Sequence, residues 1–197
     1  VKKRMQKKTI LVNLNNHLKI IKKDKSQIIN QGVFLAKLIV ECFKNGGKVL
    51  IFGNGGSAAD AQHFATELTV RLKKNRTALP AISLATDTSA ITAIGNDFSF
   101  SEIFKRQIEA IGNNKDLIVP ISTSGNSKNI ITAIKYSQRK KLNLFGILGN
   151  KGGKAKKFCT NSFIVSSNDP SRIREIHIIF WQNVCELVEK TYAIKDK

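Results

Sequence analysis

KVLIFGNGGSAAD, residues 48–60, passes from an unbroken apolar run into a turn of glycines and then into small helix formers. A continuous apolar run of this length reads as a strand buried on both faces. Gly53, Gly55 and Gly56 leave the backbone bare just where a helix begins, near Ser57. Strand, glycine turn and helix make the first half of a βαβ unit, so this segment sets the class as α/β.

The same pattern recurs outward from it. AISLAT (81–86), DLIVPIS (116–122), LNLFGILG (142–149) and SFIVSS (162–167) are short apolar runs, each followed by a turn signal, with helical segments between them. The alternation predicts five parallel strands in one sheet covered by helices on both faces. Upstream, residues 8–45 predict two helices, LVNLNNHLKIIKK and QIINQGVFLAKLIVECFKNGG, with Gly46 and Gly47 ending the second. Downstream, a long helix is expected from about Ser171 to Tyr192, capped by Asp169 with Pro170 in its first turn. The whole reads as one domain over residues 1–197, with 1–46 a helical extension packed on it.

Composition narrows the function classes. An apolar share of 42% and a charged share of 24% suit a globular chain. No apolar run reaches the roughly 18 residues that a membrane span needs, and no apolar stretch of signal-peptide type follows the basic start, so a cytoplasmic protein without a membrane partner is expected. Cys42, Cys159 and Cys185 form no CxxC pair and are expected to be small buried or half-buried apolar residues. The net charge of +19 would permit nucleic-acid binding. Its lysines are spread along the chain, however, with small clusters at 2–4, 22–25, 139–141 and 151–157 and no recognition motif beside them. A nucleic-acid partner is therefore not expected.

In such a sheet ligands bind at the carboxyl ends of the strands. Two loops there are rich in chemistry. GNGGSA formally matches a GxGxxA dinucleotide fingerprint, but the first acid after the second strand is Asp87, too far on to hold a ribose. GNKGGKA (149–155) has neither the spacing nor the hydroxyl of a phosphate-binding P-loop. What remains is a glycine backbone at a helix start, where free N–H groups and the helix dipole favour an anion. A bare strand-to-helix turn would use the same residues. Ser57 and Asp60 read as a capping box for that helix. The second loop, STSGNS (122–127), sets Ser122, Thr123, Ser124 and Ser127 around Gly125. Hydroxyls at a helix start can hold a phosphate, and they also make ordinary ST-turns and caps. His63 and Glu67 stand at i and i+4 on one helical face just past the glycine loop, as a proton-transfer group, a metal-binding pair or a surface contact.

Four segments together carry a more specific likeness: FGNGGSAADAQHFATEL (52–68), TDTSAITAIGNDFSFSEIF (86–104), PISTSGNSKNIITAI (120–134) and SRIREIHI (171–178). On these the chain resembles the sugar isomerase (SIS) domain family, and within it the phosphoheptose isomerases, over nearly its full length. The resemblance implies a flavodoxin-like αβα sandwich assembled as a homotetramer with active sites between subunits. It implies aldose–ketose isomerisation of a phosphorylated sugar, sedoheptulose 7-phosphate to a manno-heptose 7-phosphate, on the way to the heptose of lipopolysaccharide or another surface glycan. By the same resemblance Ser57, Ser122, Thr123, Ser124 and Ser127 cradle the phosphate. Asn54, Gly55, Gly56, Asn96 and Asp97 contact the sugar. Glu67 shuttles a proton through an enediol, and His63 and Glu67 are two zinc ligands.

The last helix departs from the family pattern. There the family has a glutamine and, eight positions on, a second histidine, which complete the zinc site. This chain has Arg174 and Gln182. His177 matches a different histidine of the pattern, and five residues along a helix is about 500°, which turns it about 140° away from position 182. The only other histidine, His17, lies in the N-terminal segment. Gln182 cannot act as a proton donor, while Arg174 adds a permanent cation that could contact the substrate and steady an enediolate oxygen. Weak or absent zinc is the expectation. A non-catalytic DiaA-like branch, which binds the initiator DnaA, also lacks the second histidine, but it tends to lose the carboxylate that Glu67 keeps. Isomerase is therefore the leading reading, with a sugar-phosphate-binding or DnaA-binding regulator as the alternative.

Overall fold

A computed structural model describes residues 2–193, with side chains from residue 5 onward. The basic cluster at 2–4, and the ends of the 1–197 domain span, thus lie wholly or partly outside the described residues. Five strands form one sheet: β1 (Val49–Gly53), β2 (Ala81–Ser83), β3 (Leu117–Ser122), β4 (Asn143–Leu148) and β5 (Asn161–Ile164). Their order is β2-β1-β3-β4-β5 and every pairing is parallel. This is the flavodoxin-like order, and the direction of winding reverses between β1 and β3. The second strand is shorter than the apolar run AISLAT suggests.

The helices are α1 (Lys2–Lys44), α2 (Gly56–Thr69), α3 (Thr88–Asp97), α4 (Ile103–Ile111), α5 (Lys128–Arg139) and α6 (Pro170–Tyr192). The expected pair of N-terminal helices is one continuous helix. The segment KKDKSQ between the two apolar stretches is polar, but it contains neither glycine nor proline, so nothing in it breaks the hydrogen-bond ladder. Asp24 from that segment accepts bonds from the amide and hydroxyl of Ser166, and Gln27 accepts from the Ile164 amide. α6 starts as expected, with the Asp169 carboxylate accepting from the Ser171 amide.

Alternation along β1 builds two cores. Val49 and Ile51 enter a cluster with Leu35 and Ile39 of α1, Phe64 of α2 and Phe180, Trp181 and Val184 of α6. Leu50 and Phe52 enter the opposite cluster with Phe104 and Ile108 of α4 and Ile130 and Ile134 of α5. All four β1 side chains are fully buried, each worth about 1.5–3 kcal/mol of apolar transfer. A strand buried on both faces must read as a continuous apolar run, which is why its sequence gave it away. Cys42 and Cys185 are buried and Cys159 half-buried, all as free thiols. Burial pushes the Cys42 thiol up to about 11 and the Cys159 thiol to about 12.

Candidate active site

β1 and β3 are neighbours at the reversal point, so their carboxyl ends deliver the two predicted loops side by side. Reciprocal amide bonds of 2.8 Å join Asn54 of the glycine loop to Asn129 in the first turn of α5, directly after the hydroxyl loop. Asn129 is buried and carried no signal in the sequence, because its partner is distant along the chain. The two loops are thus one structural unit.

Within the hydroxyl loop, Ser122 is buried and its Oγ accepts from the Gly125 amide at 3.0 Å. Ser124 Oγ accepts from the Asn126 amide at 3.1 Å. Ser127 is the cap residue of α5, yet its hydroxyl makes no capping bond; Thr123 is half-buried. Gly125 has φ of 62°, and a Cβ there would meet the Gly152 carbonyl oxygen at 2.1 Å. The position therefore needs glycine for both conformation and space. Gly125 O in turn accepts from the Ala155 amide, and Asn126 Oδ1 from the Lys154 amide. The GNKGGKA segment, no P-loop, serves as a buttress behind the hydroxyls.

The glycine loop differs from expectation in one respect. α2 begins at Gly56 with Gly55 at the cap position, and no side chain caps it. Ser57 and Asp60 form no capping box. Ser57 lies buried within the first turn, and Asp60, also buried, turns to α6. There it accepts from Arg174, Nε to Oδ2 at 3.3 Å and Nη2 to Oδ1 at 3.1 Å. The tie spans 114 residues, so no local spacing could have revealed it. A Cβ on Gly56 would come within 2.3 Å of Arg174 Cζ, so glycine is what lets the guanidinium lie against the loop. Hydrogen bonding to Asp60 raises the Arg174 pKa still further, and it stays charged.

Farther along α2, His63 Nε2 and Glu67 Oε1 are 2.8 Å apart. Glu67 is largely sheltered, with a side chain 14% exposed, against 54% for His63. The Trp181 ring of α6 meets His63 edge-on at 4.9 Å and stacks on Phe64 at 5.6 Å. Gln182, next to it, is half-buried. The stripe of α2 that carries Asp60, His63 and Glu67 therefore faces the stripe of α6 that carries Arg174 and Trp181. His177 is not in this stripe. It is fully buried, donates from Nε2 to the Leu148 carbonyl at 3.0 Å, and desolvation drops its pKa to about 4.

Asn96 and Asp97 are not gathered here within one chain. They sit exposed at the end of α3, with Asn96 Nδ2 donating to Asp97 Oδ1 at 2.9 Å, and α3 packs with α4 on the other face of the sheet. A pattern read along a sequence cannot tell a contact within a subunit from one supplied to a neighbour.

The residues do not fit the zinc site implied by the family pattern. The spacing of His63 and Glu67 is one that a cation could bridge, but two donors are too few for zinc. Among the described residues no group of three or more His, Cys, Asp or Glu could hold a metal. At the α6 position that the family pattern gives to a third donor this chain has Arg174, whose guanidinium is bonded to Asp60.

The fold and site therefore define a doubly wound α/β domain with a glycine loop and a hydroxyl loop bonded together at the reversal point, and a sheltered carboxylate farther along the helix that leaves the first. The sequence pattern described as "SIS domain" matches residues 11–149. The phosphoheptose isomerase 1 of Campylobacter jejuni is 46% identical over 179 residues, covering 89% of this chain and 94% of that one. The phosphoheptose isomerase of Aliarcobacter butzleri is 50% identical over 154 residues, covering 78% and 82%. Among solved structures, the phosphoheptose isomerase GmhA of Neisseria gonorrhoeae superposes with a TM-score of 0.87 at 35% identity, over 94% of this chain and 99% of that one. The chain belongs to the SIS-domain family, in its phosphoheptose isomerase branch.

Proposed function

We propose that this chain interconverts sedoheptulose 7-phosphate and D-glycero-D-manno-heptose 7-phosphate by proton transfer through an enediol. The observation that carries the reading is a sheltered carboxylate, Glu67, on the helix that leaves the glycine loop, with a hydroxyl loop bonded alongside. The names of relatives at 46–50% identity point to the same reaction. Ser57, Ser122, Thr123, Ser124 and Ser127 hold the phosphate, helped by the amides at the starts of α2 and α5. Asn54, Gly55 and Gly56 contact the sugar chain, and Asn96 and Asp97 do so from a neighbouring subunit.

Glu67 takes a proton from C1 of the ketose. The electron pair forms the C1–C2 double bond, and the carbonyl pair moves to O2. The O1 proton passes to O2, the O1 pair forms the aldehyde, and C2 recovers the proton from Glu67. No zinc takes part. Retention of Glu67 sets this reading apart from a purely regulatory one. Assembly as a homotetramer fits the row of exposed Leu11, Leu14 and Leu18 on one face of α1. We place the reaction in the cytoplasm, in the supply of heptose for a surface glycan.

The test is exchange of the carbon-bound proton with solvent deuterium during turnover. Glu67→Gln is expected to abolish exchange and turnover while leaving sugar-phosphate binding in place. Exchange that persists in this variant would put the base elsewhere.

A further inference from the structure

Arg174 stands at the α6 position where the family pattern has a glutamine of its zinc site. It reaches from α6 across to the first turn of α2, and Asp60 grips it through two nitrogens. The pair is asymmetric: the Asp60 side chain is 5% exposed and the Arg174 side chain 40%. The carboxylate is committed inside the fold, while the guanidinium keeps an open edge. Its Nη1 has no hydrogen-bond partner among the described residues and lies against Gly56 of the glycine loop. Gripping one edge of a planar fork fixes the other, so the remaining donors are oriented before any ligand arrives. Beside it the metal option is closed off: His63 and Glu67 are bonded to each other, Trp181 packs on His63, and no third donor is at hand.

We infer that Arg174, held by Asp60 against Gly56, supplies the positive charge that steadies the enediolate oxygen, so that this chain isomerises its substrate without a divalent metal. The inference rests on the isomerase reading. In the step written above, the pair that moves from the carbonyl bond to O2 is met by the Arg174 N–H groups. Arg174 gives up no proton, and the O1 proton still neutralises O2. Donors set in place before the charge develops cost no reorganisation when it does.

The experiment uses the full chain, stripped with a chelator and checked for metal by mass spectrometry. Turnover of sedoheptulose 7-phosphate is measured beside the affinity for a terminally phosphorylated sugar hydroxamate, whose planar anion copies the enediolate. Chelation is expected to leave both unchanged. Arg174→Gln is expected to lower kcat by roughly 10²–10³, as loss of an oxyanion donor does elsewhere, with little change in KM. It should weaken the hydroxamate and leave affinity for inorganic phosphate unchanged. Arg174→Lys should recover part of the loss. Because Arg174→Gln leaves Asp60 buried and unpaired, the double variant D60N/R174Q is measured too and should show the same loss without an orphaned charge.

A hydroxamate affinity indifferent to R174Q, or a wild-type activity that appears only with added zinc, would overturn the inference and leave the isomerase reading standing. A wild-type chain that holds the hydroxamate through Arg174 but never turns over would instead sink the isomerase reading, and the inference with it.

Discussion

At the scale of single residues, His177 is the side chain whose chemistry the fold changes most. Its Nε2 donates to the Leu148 carbonyl, so the neutral tautomer leaves Nδ1 bare, and Nδ1 is buried without a partner. Burial is the main cause of the drop to about 4; the Leu148 bond and Asp60 push the other way, and Arg174 adds to the drop. The folded pKa lies below the unfolded value of about 6.5, so the unfolded chain binds the extra proton first as the pH falls. Stability is thus lost from about pH 6.5 downward and levels off below pH 4, by about 3 kcal/mol in all at 1.36 kcal/mol per pH unit. His177→Gln keeps a donor but cannot titrate. Urea unfolding at pH 7 and pH 4.5 should therefore differ less in this variant than in the wild type, by about 2–3 kcal/mol. An equal difference in both would mean that His177 is charged in the fold. Residues of this kind also mark the limit of reading a sequence. Glycines and hydroxyls at strand ends announce themselves, because few other residues suit those backbones. Asp60 did not, because S-x-x-D spacing has a local meaning that the distant Arg174 overrides.

At the scale of elements, the strands were legible and the division of the N-terminal helix was not, for one physical reason. A strand in a parallel sheet is apolar on both sides and leaves a continuous trace. A helix that projects beyond the body of the protein needs no continuous apolar stripe; its polar stretches simply face water. One tie that holds α1 is a side-chain hook at Asp24, 6% exposed and bonded to the Ser166 amide at 2.9 Å and to the Ser166 hydroxyl. Ser166 follows β5, so the hook fixes the middle of α1 to the edge of the sheet. Asp24→Ala would leave that amide and hydroxyl without their charged acceptor, at a cost of about 2–3 kcal/mol. The change should appear as a lower denaturant midpoint together with faster hydrogen exchange at the Ser166 amide. Unaltered exchange there would show that α1 is held by its other contacts, such as those with α6, and not by Asp24.

At the scale of the whole molecule, the surface is unusual in two ways: a net charge of +19 and a row of large apolar side chains in the N-terminal half of α1. Leu11, Leu14 and Leu18, spaced three and four apart, are 57–62% exposed, and Ile10 beside them is 62% exposed. No helix among the described residues is long and apolar enough to cross a membrane, so a bilayer-spanning role does not account for the row. A heptad-like stripe of this kind is what a helix presents to another helix. A second copy of α1 offers the same stripe, so self-association would cover it. The purified chain is expected to run in light scattering at a mass near four times 21.9 kDa. The double change L14E/L18E puts charges into the stripe and should shift the mass downward while leaving the circular dichroism of the sheet and helices intact, because neither side chain belongs to a core. Turnover should fall with the mass if Asn96 and Asp97 act across the interface. A variant that dissociates but keeps full activity would show that each site is complete within one chain, and would remove Asn96 and Asp97 from it.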